Sequence, residues 1–156
     1  MIYASTITTD AGTAQADAKK TILSVTKGLV YQLGVEFPPG CSGLQHVQVF
    51  DSKYQLYPSS IGESFHSDDS LIGFDDLYYK TSEPFEFIIK TWNLDETWDH
   101  TIQVRIGFVS SEAFMSRYIP QLQVDQYQRI LEEIKATQEA EKALQLESMS
   151  VMLEDF

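Results

Sequence analysis

Cysteine is almost absent from the sequence, and a long apolar run is missing altogether. Cys41 is the single cysteine, so an intramolecular disulfide and any metal site built from several cysteines are excluded. The first residues, 1–20, contain Thr, Ala, Asp and Gln in place of an apolar segment, and no stretch approaches the roughly 18 apolar residues of a membrane span. We therefore expect neither a secretion signal nor a transmembrane helix.

Basic residues are also scarce. The chain has 11 Lys and Arg against 23 Asp and Glu, a formal net charge of -12. Because this excess repels phosphate backbones, we expect no nucleic acid among the partners. The missing apolar run leads us to expect no membrane among them either. Negative charge of this kind usually keeps a protein soluble. The alternative explanations are that it binds a basic partner or cations.

The local signatures of common catalytic and cofactor sites are missing too. The sequence contains no nucleophile elbow, phosphate loop, dinucleotide fingerprint, paired-histidine zinc helix or EF-hand loop. Cys41 follows Pro-Pro-Gly in a turn, with no oxyanion framework beside it. A three-histidine metal site would require the fold to bring His46, His66 and His100 together. We expect a chain that is not an enzyme and has no cofactor.

What the sequence does contain is a series of short alternating segments. The clearest has one apolar face, formed by Leu29, Tyr31, Leu33, Val35 and Phe37, which is the period of two of a half-buried strand. Further strands are predicted at 21–26, 44–50, 54–57, 71–74, 77–80, 85–90 and 102–108. Roughly eight strands without intervening helices predict a mainly β fold, an antiparallel β-sandwich that is jelly-roll-like or immunoglobulin-like.

The flanking residues set the predicted domain boundaries. Residues 1–19 are polar and lack either structural period, so we predict an extended N-terminal arm that does not pack on its own domain. Residues 20–110 hold the β-sandwich, and 111–156 form a C-terminal helical extension. Ser110 or Ser111 is a suitable N-cap for a short helix through Tyr118, which Pro120 ends.

A longer helix is predicted from Gln123 to Gln145. Its apolar positions follow one stripe: Val124, Tyr127, Leu131 and Ile134, weakly continued by Leu144. From Glu147 onward the chain is Met-rich and acidic, and we expect it to fray unless a partner holds it. The stripe makes Tyr127, Leu131 and Ile134 candidate interface residues.

Acidic loops and two tryptophans are the remaining candidates for binding. Four carboxylates are candidate calcium ligands, because oxygen ligands converge at the loop ends of a sandwich: Asp68, Asp69, Asp75 and Asp76. Ordinary solvated loops have the same composition. Trp92 and Trp98 are candidates for a protein interface, for stacking on a sugar ring, or for closing the end of the core.

Three segments stand out beside the predicted arm, sandwich and terminal helix: Thr-Thr-Asp-Ala-Gly at 8–12, Phe-Pro-Pro-Gly-Cys at 37–41, and 92–107 from Trp-Asn to Arg-Ile-Gly. With these segments the chain as a whole resembles the accessory virion proteins of tailed phages, the decoration or cement proteins that hold capsid subunits together. The resemblance implies a homo-oligomer, commonly a trimer, whose arm and helix contact neighbouring subunits on a capsid. It also implies a place in the virion, with the cytoplasm as the alternative.

Three functions follow from these features. The first is a non-enzymatic structural or interaction protein, most concretely a virion decoration or capsid-stabilising protein that acts through intersubunit contacts. The alternative is a carbohydrate- or ligand-binding module, with or without calcium, that uses Trp92, Trp98 and the acidic loops. An enzyme is the third, and it would need a carboxylate in an apolar pocket, whereas the acids here occupy polar loops.

Overall fold

The computed structural model describes residues 1–118 and 124–154. The strands are β1 (Ile2–Thr9), β2 (Lys19–Ser24), β3 (Gly28–Phe37), β4 (Gln45–Asp51), β5 (Tyr54–Tyr57), β6 (Phe65–His66), β7 (Ser70–Lys80), β8 (Glu86–Asn93) and β9 (His100–Val109). A 3-10 helix (Gln15–Asp17) lies between β1 and β2, and the helices α1 (Ser111–Tyr118) and α2 (Val124–Glu154) follow β9. Within these described residues, neither α-helix combines the length and apolar content that a membrane crossing requires.

The strands form two antiparallel sheets. One sheet has the order β1-β9-β3-β7, and the other has the order β2-β8-β4-β5 with β6 paired to β4. Their inward faces enclose one apolar core, which includes Leu33, Val35, Val47, Val49, Phe87, Ile89, Val104 and Ile106, all without solvent exposure. The predicted antiparallel β-sandwich with a C-terminal α-helix is confirmed.

A bulge in β3 changes which side chains of that strand reach the core. The register with both neighbouring strands shifts between Val30 and Gln32. Val30 therefore joins the core cluster, whereas Tyr31, which strict alternation places there, lies over Gly107 of β9. A Cβ atom at Gly107 would lie 2.7 Å from Cζ of Tyr31, so only glycine fits beneath this ring.

The acidic pair Asp75 and Asp76 lies within a strand. The sequence predicts two strands with this pair between them, but β7 is continuous from Ser70 to Lys80. Asp75 pairs with Gln32, immediately after the bulge in β3. Both carboxylates therefore occupy an edge strand of the first sheet and not a loop.

The predicted N-terminal arm is wrong, because most of it is a strand of the sandwich. β1 pairs with β9 over its whole length, from Ile2 opposite Gly107 to Thr9 opposite His100. Its inward positions include Ile7, which is 2% exposed, and Thr9, which is fully buried. The segment looks polar because Thr and Ser occupy many of its positions, yet β-branched residues such as Thr suit a strand. The boundary at 19/20 therefore does not separate an arm from the sandwich.

The helical extension begins where the sequence predicts, but its second helix ends later than predicted. The backbone N–H of Ala113 donates to Oγ of Ser110 (3.2 Å), so Ser110 caps α1. Pro120 and Gln123 lie outside the described residues. α2 continues to Glu154, past the end predicted at Gln145, while the fraying expected from Glu147 stays a prediction. Leu, Met and Glu are good helix formers and dominate this last part of the helix.

α2 packs on the edge of the sandwich formed by β5 and β7. Tyr127 is buried and Leu131 and Ile134 are half-buried, as the stripe predicts, while the side chain of Val124 lies outside the described part. Leu144 does not continue the stripe, since it is 66% exposed. Gln145 is buried instead: its Oε1 accepts from the backbone N–H of Gln55 (2.9 Å), and its Nε2 donates to the Gln55 carbonyl (3.2 Å).

Candidate functional site at a loop end of the sandwich

The loop at 94–99, which joins β8 to β9, is organised by the carboxylate of Asp95. Its Oδ1 accepts hydrogen bonds from the backbone N–H groups of Thr97 (2.8 Å) and Trp98 (3.2 Å). Its Oδ2 lies 2.9 Å from Nε2 of His100. The Thr97 N–H above all, with His100, holds the pKa of Asp95 below its ordinary value. The carboxylate is therefore ionised at neutral pH and stabilises the loop. We call 94–99 the tryptophan loop.

Three other segments hold the tryptophan loop in place. The Gly12 N–H donates to the Asp95 carbonyl (2.7 Å), and the Ala11 N–H donates to Oδ1 of Asp99 (2.8 Å). On the opposite side, the Leu94 N–H donates to the Leu44 carbonyl (2.9 Å). From β8, Nδ2 of Asn93 donates to the Trp98 carbonyl (2.8 Å). These bonds fix the loop backbone before any partner binds.

A buried polar layer lies beneath the loop. Oγ1 of Thr9 donates to Oγ1 of Thr91 (2.8 Å), and Nε2 of Gln45 donates to Oγ1 of Thr9 (3.1 Å). These three side chains and Asn93 are fully buried. The layer joins β1, β4 and β8 through side chains that the sequence pattern gave no reason to place in the core. Polar networks of this kind favour one arrangement of their strands.

Trp98 projects from the fixed loop into solvent. Its side chain is 68% exposed, and Leu94 in the same loop is 48% exposed. Large aromatic side chains are frequent anchors in binding sites, because a single ring buries much apolar surface. The tryptophan loop is therefore the best candidate for a contact with another molecule among the described residues.

Trp92 has a different environment, although both tryptophans flank the same loop. It is 4% exposed and stacks on His46, with 5.0 Å between ring centroids and 2° between the planes. His46 lies on β4 and His66 lies opposite it on the paired strand β6, with 4.8 Å between the ring centroids. Burial, and then the neighbouring His66, lowers the pKa of His46. Trp92 therefore closes the core and offers little surface to a partner.

The four candidate calcium ligands do not converge. Oδ1 of Asp68 accepts from the Gly40 N–H (2.8 Å), and Oδ2 of Asp76 accepts from the Tyr57 hydroxyl (2.7 Å). Asp75 pairs with Gln32 on the first sheet, and Asp69 adopts a left-handed turn conformation with φ of 43°. Within 1–118 and 124–154 no three His, Cys, Asp or Glu side chains are grouped as a metal site would require.

The histidines and the cysteine are also separated into structural roles. His46 and His66 meet, but His100 binds Asp95 at the base of the tryptophan loop, so the three do not form one site. Cys41 is buried, and burial, reinforced by Asp68 and Asp95, raises the pKa of its thiol. A thiol that is harder to deprotonate is a poorer nucleophile.

The structure also contains a buried ionic cluster that the sequence did not indicate. Oδ1 of Asp51 accepts from Nζ of Lys80 (2.5 Å), and Oδ2 accepts from the Tyr78 hydroxyl (2.5 Å). Lys80 is 1% exposed and Asp51 6%. From α2, Nζ of Lys142 lies 3.7 Å from Oδ2 of Asp51, so the cluster also connects the helix to the sandwich. In the sequence, the residues next to Asp51 form the pattern Asp51-Ser52-Lys53, which predicts a turn and gives no indication of an ionic cluster.

A cavity of about 440 Å³ lies between α2 and the neighbouring strands. Its lining includes Tyr54, Leu77, Tyr78, Ile130 and Ile134. Tyr127 is buried nearby on the same helix. The predicted interface stripe of α2 thus faces its own domain, and of the interface candidates only Trp98 presents a mostly exposed side chain.

Comparison with known proteins gives little more. No family model matches the chain, and no curated protein matches it. A chain of the cyanophage Pam1 capsid asymmetric unit is 14% identical over 68% of this chain and 81% of that chain, with a TM-score of 0.44. A likeness of this size carries no argument about function.

Proposed function

We propose that the chain is a non-enzymatic structural protein of a larger assembly, most concretely a virion decoration or capsid-stabilising protein, and that it docks through the tryptophan loop. The observation that supports this is the side chain of Trp98, 68% exposed on a loop whose backbone is already bonded on both sides. Because the loop is ordered in advance, docking needs little loss of conformational entropy. A tryptophan in such a position is typical of an interface hot spot.

The surroundings of Trp98 suggest the chemistry of the partner surface. Glu96 and Asp99 are exposed on the same loop, and the chain has a net charge of -12. A complementary partner has an apolar pocket for the indole ring and basic groups at its rim. In the proposed setting the partner is a capsid subunit and the location is the virion.

Binding to isolated capsid shells from the source of the chain tests this proposal. The amount of purified chain that co-sediments with the shells is measured for three proteins: unaltered, Trp98→Ala, and Ile22→Ala. Ile22 is a matched control because it is also apolar and 60% exposed, but lies on β2. We expect Trp98→Ala to weaken binding at least about 30-fold, as for a hot-spot residue, and Ile22→Ala to bind normally. Absence of binding by the unaltered chain, or equal loss in both variants, would contradict the proposal.

A carbohydrate-binding module is the second candidate, and the same exposed indole ring favours it. Aromatic side chains stack on sugar rings, and Thr97, Glu96 and Asp99 supply polar groups beside Trp98. Binding to a glycan array, with and without calcium, tests this function. A sugar bound by the unaltered protein and by Trp98→Phe, but not by Trp98→Ala, would support it. Binding to no glycan in either condition would exclude the arrayed sugars.

A further inference from the structure

The outer edge of β1 has main-chain groups without hydrogen-bond partners. The Met1 amino group donates to the Phe108 carbonyl (2.6 Å), and the Phe108 N–H donates to the Met1 carbonyl (2.7 Å). In an antiparallel pair the bonded residues alternate, so the odd-numbered residues of β1 bond to β9. The N–H and C=O groups of Ile2, Ala4, Thr6 and Thr8 consequently point to the open edge. Thr8 agrees with this, since its carbonyl accepts from Nζ of Lys19 (2.7 Å).

This edge lacks the features that usually prevent strands from pairing with other chains. Residues 2–9 read IYASTITT, with no charge, no proline and no glycine. Their pairing with β9 shows no register shift, so no bulge interrupts the edge. Within the described residues, no side chain bonds to the outward groups of Ile2, Ala4 or Thr6. An uncharged, regular and uncovered edge is a template for a further strand.

The other three sheet edges are protected in the described parts of the chain. β2 carries Lys19 and Lys20. β7 carries Asp75 and Asp76, and α2 contacts it. On β5, the side-chain amide of Gln145 occupies both main-chain groups of Gln55. Charged side chains and covering elements are the common protections of sheet edges. At β1 the described residues place one such charge, Lys19 at the Thr8 carbonyl, and leave Ile2, Ala4 and Thr6 open.

We propose that β1 is a self-association surface, on which β1 of a second copy pairs antiparallel across a twofold axis. A second copy fits because the chain carries a net charge of -12, so two copies repel over most of their surface. The uncharged segment 2–9 is a place where they meet without opposed like charges. An axis at Ala4 places Ile2 opposite Thr6 of the second copy, so that the three free positions pair through about six main-chain bonds.

The consequence is one continuous sheet across both copies. Ile2, which is 64% exposed, becomes partly covered by the second copy. Like edges pair reciprocally and the contact closes as a dimer, in contrast to the trimer that the resemblance to decoration proteins implies. Lys19 bonds to the Thr8 carbonyl, near the end of β1 that is far from the axis at Ala4, so the Lys19 side chains of the two copies lie at opposite ends of the paired strands. Added salt strengthens the association, because it screens the overall negative charge of the two copies.

Proline at position 4 tests the surface. Ala4→Pro removes an N–H that points away from β9, so the strand keeps its bonds within the monomer and loses a bond to the second copy. Ala4→Val keeps the N–H and is the matched control. Mass in solution, by light scattering over a range of concentrations, should show a dimer for the unaltered chain and for Ala4→Val, and a monomer for Ala4→Pro. Amide exchange at Ala4 and Thr6 should slow as the concentration rises.

A second variant covers the case in which Ala4→Pro disturbs folding. Thr6→Lys places a charge on the outward face of the edge and should weaken dimerisation by about tenfold or more, with an unchanged circular dichroism spectrum. A monomer at every concentration, a trimer, or a dimer that persists in both folded edge variants would overturn the proposal. Trp98→Ala should dimerise normally, so this inference and the docking of the tryptophan loop can fail independently.

Discussion

At the scale of single residues, the side chain that we expect to matter most for stability is a buried carboxylate inside the sandwich. Asp51 binds Lys80, Tyr78 and, at longer distance, Lys142. Burial, and then Asp51, raises the pKa of Tyr78, so its hydroxyl remains a donor over the whole neutral range. If one member of such a buried cluster is removed, the charged and polar groups of the others stay buried without a partner.

Replacement of Asp51 should therefore destabilise the fold strongly. We expect Asp51→Ala to lower the free energy of unfolding by about 3–5 kcal/mol, because it leaves a buried ammonium unpaired. Lys142→Met is the matched control: Lys142 is 34% exposed and 3.7 Å from the carboxylate, so its loss should cost about 0–1 kcal/mol. Urea denaturation of both variants measures the difference, and equal effects would show that the cluster is not the source of stability.

His46 predicts a dependence of stability on pH. Burial and His66 lower its pKa from 6.5 in the folded chain. A group whose folded pKa is depressed below its unfolded value stabilises the fold above the unfolded pKa, and this contribution is lost as pH falls through the folded pKa. Stability should thus fall as pH decreases from about 6.5. Asp95, whose pKa is lowered from 3.8, acts only in a separate and more acidic range.

Histidine variants test this assignment. In His46→Gln the decrease in the urea midpoint below neutral pH should be smaller than in the unaltered chain. In His66→Gln, the neighbouring charge and the ring beside His46 are both removed, so NMR titration should show a partial rise in the pKa of His46. An unaltered pH profile in His46→Gln would remove this residue from the explanation.

At the scale of elements, α2 is joined to the sandwich by one buried polar contact in addition to its apolar stripe. Gln145 pairs with Gln55 as a neighbouring strand would, whereas Leu144, one position earlier, faces solvent. The helix thereby covers the β5 edge and contacts β7, the corresponding edge of the first sheet, whereas β1 at the opposite edge has no helix beside it among the described residues.

Gln145→Ala should loosen α2 on the sandwich. We expect the free energy of unfolding to fall by about 1–3 kcal/mol, because the main-chain groups of Gln55 lose their partner in a buried position. Amide exchange at Gln55 should accelerate. Leu144→Ala, in contrast, should change stability by no more than about 0.5 kcal/mol, as is usual for an exposed position. Equally faster exchange at Gln55 in both variants would mean that this contact does not hold the helix on β5, because both variants introduce alanine, the best helix former.

At the scale of the whole molecule, the sandwich has two surfaces suited to contacts. The tryptophan loop is held by bonds from 11–12, from Leu44 and from Asn93, and the β1 edge is regular over its full length. Surfaces that are ordered before binding lower the entropic cost of association, which agrees with the proposed structural role. Docking through Trp98 and pairing through β1 are separate predictions, since each has a variant that should leave the other intact.

The sequence by itself determined those features that depend on neighbouring residues. Alternation along β9 and most of β3 predicted strands with the correct inward face, and Ser110 predicted the start of α1. The spacing of Tyr127, Leu131 and Ile134 likewise predicted the face of α2 that packs on the body. Each of these signals lies within one helix or one strand, so local periodicity is sufficient to read it.

The tertiary structure alone decided which partner each segment meets. The polar segment 2–9 is a strand because its main chain pairs with β9. Gln145 is buried because its side-chain amide bonds to the main chain of Gln55. Trp92 and Trp98 flank the same loop, but one stacks on His46 within the sandwich and the other lies beyond the last strand residue in solvent. These outcomes depend on contacts between residues distant in sequence, which no local pattern encodes.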